Sequence, residues 1–368
     1  MIASYIDWKD AFPRQCPKLG IESFIRNGVR PSLIPILINF FQDRRMVVKW
    51  HGVLSAPKNI NGGGPQGATL GILEYLSQSN NNADMVSQND WFKFVDDLTV
   101  LEIVDVLSVG LTSYNIRQHV PSDVPTDSNF IPSANLKSQQ HLDEIDSWTE
   151  RQKMQLNSEK TKCMIFNYTN NYQFTTRLQL YGENIEVQNS TKLLGTIIAN
   201  DLKWDLNTQE IVKQGNARMQ LLRQVASFGA SQQELKQIYF AYVRSQIEKS
   251  STVWHNSLTD ENKKDLERIQ KTAIKIILKN NYSSYKKSLL KLDIDDLATR
   301  RKKLSVDFAI KCTKHEKFKN MFPKFNKLHT MKTRNPLKFD IQHANTERFK
   351  KSAIIYMQRL LNENDINF

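Results

Sequence analysis

The sequence has few cysteines, no long apolar run and no targeting segment, and these absences exclude several classes of protein. Its 368 residues include three cysteines, none of them in a C-x-x-C pair, so neither a disulfide framework nor a cysteine zinc site is supported. No apolar run reaches the roughly 18 residues that a membrane-spanning helix needs. The first residues, MIASYIDWKDAF, lack the basic and apolar regions of a signal peptide. We therefore expect a soluble intracellular protein with no membrane partner.

The chain is basic, and the excess of positive charge is concentrated near one end. It has 51 Lys and Arg against 38 Asp and Glu, a formal net charge of +13. Residues 281–368 contain 20 basic and 9 acidic residues, which leaves the first 280 residues almost neutral at +2. Two interpretations of this basic tail stay open, a solvated lysine-rich helical surface and a nucleic-acid footprint. An aromatic content of 10% argues against disorder in either case.

The hydrophobic pattern changes from mixed to helical near residue 204. Before this point the predicted helices are at 32–42 and at 136–154, where Leu142, Ile145 and Trp148 recur at helical spacing. Hairpins are predicted at 46–57, at 92–103 with its turn at Asp96–Asp97, and at 177–188, with a loop at 106–135 and a strand pair at 191–204 that turns at Asn200–Asp201. After it, the periodicity predicts helices at 206–227, 231–254, 259–280, 284–290, 296–313 and 346–361. We expect the aromatic residues Trp204, Tyr239, Tyr242 and Trp254 to pack in the helical core, and Cys163 to be buried in a strand.

Three short segments carry side chains suited to chemistry. Asp7 ends the apolar run ASYI, a glycine-rich loop GGGPQG spans 62–67, and adjacent aspartates follow two apolar residues in Phe94-Val95-Asp96-Asp97. Carboxylates at the tip of a hairpin repel each other, and bound divalent cations offset that repulsion through hard oxygen ligands. In isolation each segment has an ordinary explanation as a strand end or a surface turn. Their order along the chain is the informative feature.

In that order, the three segments resemble the palm of a reverse transcriptase of the non-LTR retrotransposon type, close to jockey-like mobile elements. The resemblance continues in LNSEKTKCMIF, which contains Asn157, Lys160 and Thr161, and in TKLLGTIIANDLKW. It extends into LKQIYFAYVRSQIEKSSTVWHNSL and LERIQKTAIKIIL, which are similar to the helical thumb and the region after it. It covers roughly residues 2–280.

The resemblance implies an α+β fold. A reverse-transcriptase palm, an antiparallel sheet with helices on one face, would occupy residues 1–204. A helical thumb would occupy 205–280, and a basic helical C-terminal region 281–368. Because Asp7 comes so soon after Met1, we expect the fingers to be largely missing and the chain to be an N-terminally truncated piece of a larger element protein.

The resemblance also assigns the residues of a two-metal site. Asp7, Asp96 and Asp97 would bind two Mg²⁺ ions, with Mn²⁺ as an alternative. Lys160 would give a proton to the leaving pyrophosphate or stabilise its charge, and its alternative interpretation is a solvated turn lysine. Motif A of the family ends in Ala-Phe-Asp, whereas Pro13 follows Phe12 here, at a position that is not a metal ligand.

The remaining implied roles concern the nucleotide and the primer. Phe12 would lie under the sugar of the incoming nucleotide and reject a 2′-hydroxyl. Gln66 and Gly67 would line the nucleotide and template pocket. Leu194 and Gly195 would form the primer grip, where glycine lets the primer backbone approach closely.

The function implied is RNA-directed DNA polymerase activity, in which nucleotides are added to a primer 3′-end. The expected partners are an RNA template, a DNA primer and deoxynucleoside triphosphates, in a ribonucleoprotein of the nucleus or cytoplasm. The missing fingers would weaken this activity. The alternative is a non-catalytic nucleic-acid-binding remnant of such an element.

Overall fold

The chain forms two structural units, Met1–Thr191 and Lys192–Phe368, in a computed structural model. The structure describes residues 1–65, 67–80, 91–104, 129–167, 174–324 and 339–363. Gln66 and most of the predicted loop at 106–135 lie outside these ranges. The first unit mixes strands and helices and the second is mainly helical, which confirms the predicted α+β class. The functional boundaries at 204 and 280 stay predictions.

A five-stranded sheet organises the first unit. The strands of this unit are β1 (Ile2–Ile6), β2 (Arg44–Met46), β3 (Lys49–Trp50), β4 (Val53–Leu54), β5 (Lys58–Ile60), β6 (Trp91–Phe94), β7 (Asp97–Glu102), β8 (Asn129–Phe130), β9 (Lys162–Ile165), β10 (Phe174–Thr175), β11 (Gln179–Leu180), β12 (Glu183–Asn184) and β13 (Glu186–Val187). The sheet order is β13-β9-β1-β7-β6, and all its pairs are antiparallel except β13 with β9. β1 is central, which explains why ASYI is an apolar run rather than an alternating one: Ile2, Ala3 and Ser4 are all buried.

The helices of the first unit are α1 (Pro17–Arg26), α2 (Ile34–Phe41), α3 (Thr69–Asn80) and α4 (Lys137–Arg151). α3 and α4 contribute to the hydrophobic core on the sheet, whereas Phe24 of α1 and Leu37 and Phe41 of α2 form a separate small cluster. The apolar side chains predicted to share one face of α4, Leu142, Ile145 and Trp148, are buried in the same cluster as Ile6 of β1. Cys163 is buried in β9, as predicted.

A carboxyl group is enclosed where α3 packs on α1. Glu74 of α3 is fully buried, and neither of its carboxylate oxygens has a hydrogen-bond partner in the part of the chain that the structure describes. The absence of a side chain at Gly20 of α1 makes room for it, because a Cβ there would lie 2.7 Å from Glu74 Oε1. Burial raises the pKa of Glu74 to about 7, although the positive charge of Arg44 opposes the shift.

This buried carboxyl group predicts a pH-dependent stability. Folding raises the pKa of Glu74 from 4.5 to about 7. The stability that its protonation contributes is therefore fully present below pH 4.5 and is lost as the pH rises through 7. The loss is about 3 kcal/mol, from about 1.4 kcal/mol for each unit of pKa shift. Glu74→Gln removes this pH dependence. The free energies of unfolding in urea at about pH 5 and about pH 8 are therefore expected to differ less in this variant than in the wild type. Glu22→Gln, an exposed change on α1, is the control, and an equal pH dependence in the Glu74→Gln variant would contradict the prediction.

Residues 44–60 form an exposed hairpin with two successive strand pairs. β2 pairs with β5 and β3 pairs with β4, which confirms the predicted hairpin at 46–57. The turn residues His51 and Gly52 both have positive φ, as a type I′ turn requires. Every residue from 45 to 59 is exposed, including Trp50 at 74%.

The second unit starts with a hairpin and continues as helices. Its elements are β14 (Ser190–Leu193), β15 (Thr196–Ala199), α5 (Asp205–Ser227), α6 (Gln232–Ile238), α7 (Ser245–Ile247), α8 (Ser251–Trp254), α9 (Asp260–Leu278), α10 (Tyr285–Leu292), α11 (Leu297–Lys314), α12 (Glu347–Lys350) and α13 (Ala353–Glu363). The strand pair predicted at 191–204 is present, but its turn is at Leu194–Gly195 and not at Asn200–Asp201. Asn200 and Asp201 instead form the turn between β15 and α5.

The helix predicted at 231–254 is interrupted. It starts with a capping box between Ser231 and Glu234. Residues Tyr239–Arg244 then form a π-helical turn, and Ser250 adopts a left-handed conformation between α7 and α8.

Three of the four aromatic residues predicted in the helical core lie there. Tyr239 and Trp254 are fully buried, and Trp204 packs against the same core. Tyr242 is 44% exposed, so its predicted burial is wrong. The wide π-helical turn separates it from the face that Tyr239 occupies. No helix in the described part of the chain has both the length and the apolar character to cross a bilayer.

Candidate active site

The pairing of β1 with β7 brings two carboxylate positions together. Their register joins Ile2 to Glu102 and Ile6 to Leu98. One further step places Asp7 opposite Asp97. Asp96 lies beside them in the turn between β6 and β7, so the structure brings the three predicted carboxylates to one end of the central strands.

The three carboxylates influence one another electrostatically. The pKa of Asp97 is raised by partial desolvation and by the negative charges of Asp96 and Asp7. The pKa of Asp7 is raised by desolvation and by Asp96, and the positive charge of Lys160 opposes this shift. The site therefore concentrates negative charge in partly desolvated surroundings, and Lys160 is the cation that acts on Asp7.

Main-chain contacts hold Lys160 in this position. The Asp7 carbonyl accepts a hydrogen bond from Asn157 N at 2.9 Å, and Asp7 N donates to Thr161 Oγ1 at 3.3 Å. Asn157 Oδ1 in turn accepts a hydrogen bond from Lys160 N at 3.2 Å. The segment Asn157–Thr161 is thus fastened to the residue that ends β1, while the Lys160 side chain is exposed.

The hairpin that carries the aspartate pair has a strained turn. Phe94 pairs with Asp97, so the two turn residues are Val95 and Asp96, one position earlier than the predicted turn at Asp96–Asp97. Val95 has a φ of +58°, a conformation that a β-branched residue rarely adopts. The left-handed region costs a non-glycine residue roughly 1–2 kcal/mol.

Substitution at Val95 can measure this strain. Glycine adopts positive φ without steric cost, whereas alanine keeps the cost and lacks the valine methyl groups. We expect Val95→Gly to be more stable than Val95→Ala by about 1 kcal/mol in urea unfolding. Equal stabilities, or a more stable alanine variant, would contradict the strained turn.

The glycine-rich loop lies on the segment that contains Phe12. Gly64 N donates to Phe12 O at 2.8 Å, and Gly63 N donates to Gln15 O at 2.8 Å. Gly63 has a φ of +77°, and a Cβ there would lie 2.9 Å from the Pro13 carbonyl oxygen. Only glycine therefore allows the loop to approach so closely. Gly67, with a φ of +83°, is exposed just before α3.

Tyr75 is part of this site, and no sequence argument identified it. It is 1% exposed, and its ring centroid lies 5.1 Å from that of Phe12, with 30° between the rings. Its pKa is raised by burial and then by the charges of Asp96, Asp97 and Asp7. A signal was present, because a tyrosine within the apolar run ILEYL places a hydroxyl where an ordinary core needs none.

The predicted primer-grip residues form the tip of the hairpin that starts the second unit. Leu194 and Gly195 have φ values of +48° and +81°, so they occupy a type I′ turn. The Lys249 ammonium group lies where a side chain at Gly195 would start. The positive φ of this turn favours glycine, whereas the flexible Lys249 side chain could move away from a larger residue.

The donor set suits a hard divalent cation. Three carboxylates supply the oxygen ligands that Mg²⁺ prefers, and their mutual repulsion is the kind that a cation relieves. Within the described ranges, however, no three His, Cys, Asp or Glu side chains are already arranged around a metal position. The residues fit such an ion chemically, and the carboxylates would have to move together to hold it.

In the basic tail, the cluster of positive charge at residues 300–303 is buried or ion-paired within the second unit. Arg301 is fully buried, and Arg300 donates to Glu248 Oε1 at 3.1 Å. Lys302 pairs with Glu363 at 3.5 Å and Lys303 with Asp295 at 2.6 Å. The lysines at 311, 314 and 317 are exposed. The tail therefore offers fewer free cations than its composition indicates.

Comparison with known proteins places this chain near a transposon polymerase. No family model matches it. It is 24% identical over 223 residues to the "Probable RNA-directed DNA polymerase from transposon BS" of Drosophila melanogaster, which covers 60% of this chain and 22% of that protein. This weak homology confirms the resemblance to a transposon reverse transcriptase. The chain spans about a fifth of the length of this relative.

Solved structures of telomerase give a distant structural likeness. Apo telomerase from Candida tropicalis matches with a TM-score of 0.37 and 14% identity, over 85% of this chain and 50% of that one. Telomerase from Candida albicans in complex with the TWJ fragment of telomeric RNA matches with a TM-score of 0.34 and 14% identity, over 87% and 50%. At these scores the likeness says nothing about the chemistry of this chain.

Proposed function

We propose that this chain is the polymerase portion of a non-LTR retrotransposon reverse transcriptase, which adds deoxynucleotides to a primer 3′-end on an RNA template. The observation that carries the proposal is the meeting of Asp7, Asp96 and Asp97 at the end of β1 and β7. The homology to a transposon polymerase supports the same reaction class.

The chemistry is nucleotidyl transfer. The primer 3′-oxygen forms a bond to the α-phosphorus of the incoming nucleotide while the bond to pyrophosphate breaks. Two Mg²⁺ ions, when bound, lower the pKa of the 3′-hydroxyl and neutralise the leaving oxygen. Asp7, Asp96 and Asp97 would hold them. Lys160, whose charge acts on Asp7, would supply a proton to the pyrophosphate oxygen.

Other residues select and orient the reactants. Phe12, held by Gly64 N and in contact with Tyr75, would exclude a ribose 2′-hydroxyl by steric contact. Gln66 and Gly67 would line the pocket for the nucleotide and the template base. The turn formed by Leu194 and Gly195 would support the primer backbone, and the Lys249 ammonium beside it suits a phosphate.

Removal of the hairpin carboxylates tests the reaction. In primer extension on an RNA template with Mg²⁺ and deoxynucleotides, Asp96→Asn/Asp97→Asn is expected to reduce product to background, because the ions lose two of their three carboxylate ligands. Asp307→Asn/Asp340→Asn, which alters two exposed aspartates of the second unit, is the charge-matched control and is expected to extend like the wild type. Extension that persists in the hairpin variant would refute the metal site.

The alternative function, nucleic-acid binding without catalysis, is favoured by one observation: the lysines at 311, 314 and 317 are exposed. It predicts salt-dependent binding of RNA in a wild-type chain that extends no primer. Changing Lys311, Lys314 and Lys317 to Gln is expected to reduce the slope of log affinity against log salt by about 0.7 for each lost phosphate contact with a single strand. An unchanged slope between about 50 and 200 mM salt would exclude this surface as the footprint.

A further inference from the structure

We propose that Tyr75 is a positioning residue that couples nucleotide selection to the carboxylate site: its ring holds Phe12, and its hydroxyl is the hydrogen-bond donor to the aspartate cluster once that cluster closes around its cations. The inference rests on the proposed function and adds a residue to it that neither the motifs nor the resemblance indicated.

Tyr75 lies in the hydrophobic core of the first unit. It belongs to the same buried cluster as Ile6, which precedes Asp7, and Leu98, which follows Asp97. This cluster therefore contains the tyrosine ring together with the residues that adjoin two of the three carboxylates.

The ring of Tyr75 packs against the ring of Phe12. The two ring centroids are 5.1 Å apart and the rings are inclined at 30°, and Phe12 itself is only half-buried. The segment that carries Phe12 is held through its main chain by Gly64. The ring of Tyr75 then restrains the direction of the Phe12 side chain, on which exclusion of a 2′-hydroxyl would depend.

The hydroxyl group of Tyr75 is buried and has no hydrogen-bond partner among the residues that the structure describes, an arrangement that is costly unless a partner arrives. The charged groups that act on it are Asp96, Asp97 and Asp7. A phenol is protonated at neutral pH, so the Tyr75 hydroxyl can donate a hydrogen bond to a carboxylate oxygen. Such a hydrogen bond, made to a carboxylate that also binds a metal ion, fixes the orientation of that carboxylate.

Two substitutions separate the ring from the hydroxyl. Tyr75→Phe keeps the ring, so we expect unchanged discrimination between deoxynucleotides and ribonucleotides, with Mn²⁺ bound about tenfold more weakly in the absence of nucleic acid, measured by electron paramagnetic resonance. Tyr75→Leu removes both groups, so we expect the same weaker Mn²⁺ binding together with lower discrimination, measured as the ratio of kcat/KM for the two nucleotides. Should the leucine variant fail to fold, Tyr75→Met, which is closer in length, takes its place.

A matched control is available in the second unit. Tyr239 is also fully buried, but its hydroxyl already donates to Gln270 Oε1 at 2.6 Å. Tyr239→Phe is expected to lower the free energy of unfolding without changing Mn²⁺ affinity or nucleotide discrimination. Tyr75→Phe is expected to have the opposite profile, with weaker Mn²⁺ binding and no loss of stability.

The outcomes distinguish this inference from the proposed function. Wild-type affinity for Mn²⁺ in Tyr75→Phe would refute the role of the hydroxyl, and unchanged discrimination in Tyr75→Leu or Tyr75→Met would refute the role of the ring. Either result could occur in a chain that still extends primers, and the polymerase assignment would then stand. If the wild type shows no Mn²⁺ binding that Asp96→Asn/Asp97→Asn abolishes, the metal site and the role of Tyr75 are both refuted.

Discussion

The antiparallel pairing of β1 with β7 is the constraint on which the first unit depends. At one end the register, continued one step beyond the pair of Ile6 and Leu98, places Asp7 opposite Asp97. At the other end it aligns Ile2 with Glu102, whose carboxylate accepts hydrogen bonds from Lys137 N and Ser138 N at 3.1 and 2.8 Å at the start of α4. A slip of one residue would turn the buried side chains of both strands to the opposite faces and separate the carboxylates. The strand pair thus links the candidate site to the placement of α4.

The same pairing explains how distant segments of the sequence meet. α4 starts at the Glu102 carboxylate, and the chain that follows α4 returns to the end of β1. There Asn157 and Thr161 form hydrogen bonds with the main chain of Asp7. These main-chain contacts keep Lys160 close enough to Asp7 for its charge to act on that carboxyl group.

The sequence allowed the α+β class, the buried face of α4 and the positions of the three aspartates to be predicted, because periodicity and the order of the motifs are local signals. The sequence predicts a turn at Asn200–Asp201 in place of the observed turn at Leu194–Gly195, because Asn and Asp are the stronger turn formers. A leucine that adopts positive φ gives no such local signal. The strain at Val95 was missed for the same reason. Tyr75 was missed because its role depends on contacts between segments far apart in the chain. The charge of the tail was read from composition, and composition does not reveal that Arg301 is buried or that Arg300 pairs with Glu248.

The π-helical turn at Tyr239–Arg244 has a consequence for comparing this chain with its relatives. Such a turn accommodates one residue more than the α-helix it interrupts. An ungapped alignment to a relative with a regular helix would shift every residue after the turn by one position, and would match exposed residues such as Tyr242 with buried ones such as Val243. Homology in this helical region is therefore better judged on either side of the turn, with a single-residue gap inside it.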